Sequence, residues 1–187
     1  MIYTPTPNTF TPWQPSTWPE APSSFEPSFS QTLERIIKET MLDKIGNVIS
    51  DAQIVNGDLT HRGHVVVLAI LCAIDSIASY AFNGGVGTRY KNFISTYFPS
   101  DYQPFSNDIY LSYRNSSVHS WNLFQVAIYP GNETITINNG SLSFGLINFY
   151  NALIVAVDNF LSDLPNSPTL QIKSLRRYSE LRRTAIS

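Results

Sequence analysis

Apolar residues recur at helical spacing through most of this chain. Leu33, Ile36, Ile37, Met41 and Ile45 form one stripe, and Ser30-Gln31-Thr32-Leu33-Glu34 has the composition of a capped helix start. Gly46 is a candidate end or bend, and Asn56-Gly57-Asp58 reads as a turn. With Thr60 as cap, the next helix spans about 61–82. There Val65, Leu68, Ala69, Leu71, Cys72, Ile74 and Ile77 leave almost no polar face, which predicts a central helix with Cys72 in the core. Asp75 interrupts that apolar surface, where an unpaired charge is costly, so it is expected to have a partner or to stand on the one polar edge of the helix. Asn83-Gly84-Gly85-Val86-Gly87 breaks the chain before a short helix over 88–98. Pro99 and Pro104 bracket a loop, and residues 106–122 read as helix again.

The period then changes from helical to alternating. Phe124, Val126 and Ile128 alternate, Pro130-Gly131-Asn132 forms a turn, and Thr134 to Ile137 alternate once more. This pattern predicts a β-hairpin over about 123–139. An apolar helix is expected from Phe144 to Leu164, ended by Pro165 and Pro168. The expected fold is therefore mainly α: a helical bundle over 31–164 with one hairpin insertion, an extended N-terminal arm over 1–30 and a basic C-terminal helix over 165–187.

Composition sharpens both ends. Seven of the 12 prolines lie in residues 1–30, a density that forbids a helix or a central strand. The same stretch holds Phe10, Trp13, Trp18, Phe25 and Phe29. Aromatics in such number suit an arm docked on the body or on a neighbouring subunit, and a flexible tail is the alternative. At the other end, five basic residues (Lys173, Arg176, Arg177, Arg182, Arg183) accompany one acid, Glu180. The tail is thus +4 within a chain of net charge −2, leaving −6 elsewhere. A basic tail on an acidic body binds nucleic acid, a membrane surface or the body itself. The single cysteine excludes an internal disulfide and a thiolate metal cage. No signal-peptide pattern and no apolar run of spanning length stand in the sequence, which predicts a soluble cytoplasmic protein.

Candidate chemistry concentrates in Tyr113-Arg114-Asn115-Ser116-Ser117-Val118-His119-Ser120. His moves protons near neutral pH, and Arg holds a phosphate with a planar fork of donors. On a straight helix the two would stand about 140° apart. A shared site therefore requires a broken helix or a second copy of the chain. Arg114 and His119 are also candidate partners for Asp75.

With Arg114, four intervening residues, His119 and a polar Asn115 in the first intervening slot, the chain resembles the HEPN superfamily of small helical bundles. The resemblance follows element order over about 31–164. It implies a metal-independent endoribonuclease acting as a homodimer, without cofactor. His119 would act as general base or acid on the ribose 2′-hydroxyl or the leaving 5′-oxygen. Arg114 would neutralise charge on the transition state, and Asn115 would orient the phosphate or His119. Products would carry a 2′,3′-cyclic phosphate or a 3′-phosphate. Toxin–antitoxin and antiphage roles, with an antitoxin or other protein partner, are implied for active members. Inactive members serve as RNA-binding, nucleotide-binding or assembly modules.

Tyr113, Arg89, Lys91, Lys173, Arg176 and Arg177 are the expected RNA contacts. His61 and His64, three residues apart, have a spacing that can hold a metal, but no ligand stands at a matching offset, so no metal is expected. The run Asn83 to Thr88 offers backbone donors at a helix start but lacks the Gly-Lys-Ser/Thr ending of a P-loop, and reads as a plain connector.

Overall fold

A computed structural model describes residues 18–56, 63–112, 126–138 and 141–186. The architecture is mainly helical with a small three-stranded sheet. Helix α1 (Pro27–Ile37) runs through a π-helical turn, Lys38–Leu42, into α2 (Asp43–Asn56). Then follow α3 (Gly63–Ala81), α4 (Val86–Tyr97) and the short α5 (Ser106–Ser112). Strands β1 (Val126–Tyr129), β2 (Thr136–Asn138) and β3 (Ser141–Gly145) precede α6 (Leu146–Asp163) and α7 (Pro168–Ile186).

Helix α3 is central, as its apolar pattern predicts, and packs against α4, α6 and α7. Val67, Ile70, Ile74, Ile77, Ala78 and Tyr80 are fully buried along it. Cys72 is not a core residue: it is exposed on the outer side of α3. Its neighbours in sequence, Leu71 and Ala73, take the inward positions. A nearly all-apolar helix hides which of its faces is turned outward. Among the described residues no single helix is long and apolar enough to cross a membrane, and α3 and α4 are bent 91° apart at their break.

The first helix begins earlier than its polar start signal suggests. Pro27 occupies its first turn, where a missing N–H costs nothing, and Phe29 is already buried. Gly46 neither ends nor bends α2 by its own freedom. It makes room for Tyr150, whose hydroxyl accepts from Gly46 N–H and donates to Leu42 O at 2.9 Å. The phenol is thus inserted in the helical ladder just after the π turn, a known cause of local helix irregularity.

The predicted hairpin is not formed. Strand β3 lies between β1 and β2, pairing parallel with β1 (Val126 opposite Leu142) and antiparallel with β2 (Asn138 opposite Ser141). Leu142, Ser143, Phe144 and Gly145 are all buried, so β3 shows no alternation. A strand covered on both faces has an apolar run that sequence periodicity cannot separate from a helix start. Phe144 thus belongs to β3 and packs its ring 4.6 Å from Phe149 of α6. A Cβ at Gly145 would come within 2.5 Å of Gly131 O, so this close passage of two backbones admits only glycine.

Both chain ends join the body. Trp18 is buried and stacks on Tyr178 of α7 with ring centroids 5.3 Å apart. Phe29 meets the same tyrosine edge-on, and Tyr178 donates to Pro19 O at 2.8 Å. Arg182 donates to Trp18 O and pairs with Glu20. The described part of the arm is therefore docked on its own basic tail, and the last part of the expected arm, 27–30, is already helix α1.

Candidate nucleic-acid interface

Three elements meet at the C-terminal end of α3. The helix delivers Ser79 and Phe82, and the chain turns at Asn83-Gly84, where Gly84 takes φ +102°. That left-handed conformation suits glycine and lets α4 start at once, 91° away from α3. One turn into α4, Arg89 reaches back to Asp75 of α3, Nη2 to Oδ1 at 3.2 Å. Asp75 thus has the partner its apolar helix demanded, and that partner includes Arg89. Both side chains are about four-fifths buried, at 21% and 22% exposure. Arg89 Nε is buried without an acceptor among the described residues, so this guanidinium is only partly satisfied.

Helix α7 closes the third side. Its positions 173, 176, 177 and 180 follow i, i+3, i+4, i+7 spacing and share one face. Ser174 anchors the helix by donating to Tyr80 O at 3.1 Å, and Arg177 Nε donates to Ser79 Oγ at 3.0 Å. Lys173, Arg176, Arg177 and Glu180 then line one open cavity of about 400 Å³ together with Arg89, Phe82, Asn83 and Gly84.

The charges of this cavity do not cancel. Glu180 pairs with Arg176 at 2.9 Å and lies 3.6 Å from Arg177, so one carboxylate serves two guanidiniums. The hydrogen bond from Arg176 holds the Glu180 carboxyl below the usual carboxylate range. Lys173 makes no ion pair among the described residues. With Asp75 behind Arg89, four cations face two carboxylates, leaving a surplus of two positive charges in a small volume.

The expected RNA contacts are thus divided. Arg89, Lys173, Arg176 and Arg177 come together across 84 to 88 residues of sequence. Lys91 does not join them: it lies over the Tyr110 ring of α5, 5.8 Å from the centroid. Tyr113, Arg114, Asn115 and His119 lie outside the described residues, as do His61 and the His64 side chain. Asn83-Gly84 is more than the connector its sequence suggests, since it forms a wall of the cationic cavity. Sequence reasoning missed Ser79, Phe82, Asn83 and Glu180 there. Only the helical spacing of 173, 176, 177 and 180 signalled that these α7 residues act as one face. Among the described residues no three His, Cys, Asp or Glu side chains gather as a metal site.

No protein-family model matches the chain, and no match is found among curated proteins or solved structures.

Proposed function

We propose that this protein is an RNA-binding helical module of the cytoplasm, and that the cavity between α3, α4 and α7 is where it holds phosphate. The observation that carries this reading is the convergence of Arg89, Lys173, Arg176 and Arg177 on one cavity with a surplus of two positive charges. Cations gathered from distant parts of the chain are costly to hold together unless an anion offsets them. Guanidinium groups match phosphate geometry in particular. Phe82, partly buried, also lines the cavity, and an aromatic side chain is of the kind that contacts bases.

The test uses point substitutions, because removing α7 would expose the core around Ser174 and Tyr178. Lys173→Ala and Arg176→Ala should weaken binding of a labelled single-stranded RNA in an anisotropy titration. The slope of log affinity against log salt should fall by about 0.7 for each cation removed. An unchanged affinity and salt slope in the double variant would sink the reading.

The endoribonuclease reading is retained on the Arg114-Asn115…His119 motif, which follows α5 directly in the chain. Helix α5, which the motif follows in sequence, is held against α4 by Tyr110, with Lys91 over its ring. In this reading His119 transfers the proton, Arg114 stabilises the transition state, and two copies of the chain complete one cleft. Purified protein is expected to cleave RNA in excess EDTA, and His119→Ala to abolish the cleavage. Undiminished cleavage by the variant would assign the activity elsewhere.

A further inference from the structure

We infer that the α3–α4–α7 cavity is a receptor for a phosphate monoester, the phosphorylated end of an RNA strand or a free mononucleotide, rather than for an internal phosphodiester. The inference rests on the RNA-binding reading and adds the chemical form of the ligand.

Charge decides first. An internal phosphodiester brings one negative charge and two free oxygens. A phosphate monoester brings −1.5 to −2 near pH 7 and three strong acceptor oxygens. The unmatched charge of the cavity is two, and it is concentrated: Lys173 is unpaired among the described residues, while Arg176 and Arg177 divide a single carboxylate between them. A groove that tracks an internal backbone needs cations strung along its length. Here all four line one cavity together with the Asn83-Gly84 turn.

Size and lining point the same way. A volume of about 400 Å³ falls at the small end of the range of roughly 300–1,000 Å³ for small-ligand clefts. It accommodates one nucleotide. Phe82 and Asn83 also line it, an aromatic and an amide of the kinds that contact a base and its edge.

The test compares affinities of the full-length protein for one short RNA carrying a 5′-phosphate, a 3′-phosphate or hydroxyls at both ends. AMP, adenosine and a phosphoserine peptide are run alongside. One phosphorylated end should bind about tenfold or more tighter than the hydroxyl strand, the effect of one or more charge-assisted hydrogen bonds. Lys173→Ala with Arg176→Ala should remove most of that difference.

A second readout needs no variant. The preference should fade as pH drops through about 6, where the monoester becomes a monoanion. The charged groups lining the cavity are Arg89 of α4 and Lys173, Arg176, Arg177 and Glu180 of α7, with Asp75 of α3 paired to Arg89, and no histidine lines it among the described residues.

AMP binding as tightly as the phosphorylated strand, or the strand binding far more tightly than AMP, upholds the monoester site and identifies its source. Equal affinity for phosphorylated and hydroxyl strands, at every pH, overturns this inference and leaves RNA binding standing. Binding of neither strand overturns the RNA reading itself, and a phosphoserine peptide preferred over all nucleotides overturns the assignment to RNA.

Discussion

Burial holds the phenols of Tyr97 and Tyr102 up at about 12 and pushes that of Tyr80 up further. Nearby Asp163 and Asp101 add smaller repulsions at the first two. In the unfolded chain a tyrosine ionises near pH 10. The folded state therefore keeps these protons longer. Their contribution to stability is complete below about pH 10 and is lost as pH rises from about 10 to about 12. Urea unfolding followed across this range should show a falling midpoint. The tyrosinate absorbance of the folded protein should show a fraction of the ten tyrosines that ionise only together with unfolding. A single ionisation of every tyrosine near pH 10, with the fold intact, would contradict the burial assigned to this cluster. Single residues in the cavity behave in the same context-dependent way. Arg89 and Arg177 were legible as basic residues, but their roles as the partners of Asp75 and Ser79 depend on neighbours 14 and 98 positions away.

At the scale of elements, the clearest device is the break between α1 and α2. Tyr150 comes from α6, yet its hydroxyl completes the ladder of the other helix at Leu42 and Gly46. Tyr150→Phe removes the bridging group and leaves these two backbone groups without it. The variant should lose about 1 kcal/mol in stability, read from the urea midpoint at an unchanged m-value. No loss would mean that the helix recloses on its own. The sheet carries the other lesson. Asn139-Gly140 stands between residues paired as Asn138 and Ser141, and Asn-Gly at a two-residue spacing is a strong hairpin signal. The Pro130-Gly131-Asn132 signal is weaker, and the run after Gly140 is buried without alternation and leads directly into α6. Helix α7 was legible as a basic amphipathic helix, but its buried Ser174 and Tyr178 make it part of the core rather than an appended tail.

On the scale of the whole molecule, the two chain ends hold each other. Trp18 and Phe29 pack on Tyr178, and Arg182 ties Trp18 and Glu20 to α7. This consumes part of the tail's positive charge on its own arm. Lys173, Arg176 and Arg177, which lie nearer the start of α7, remain directed to the cavity. The basic tail is therefore divided: one end docks on the body and the other lines the cationic cavity. Arg182, engaged with Trp18 and Glu20, is thus no part of the cavity that Lys173 and Arg176 line.

The sequence by itself determined the mainly helical class, the central position of α3, the costly charge of Asp75 within it and the basic character of α7. Each follows from local periodicity or from the cost of burying a charge, and neither requires knowledge of distant residues. Only the tertiary structure decided that β3 lies between β1 and β2, that Cys72 faces outward and that Lys91 leaves the company of Arg89. It alone brought the end of α3, the Gly84 turn and α7 around one cavity. Strand order, the outward face of an apolar helix and the meeting of distant cations are set by long-range packing, and no local pattern encodes them.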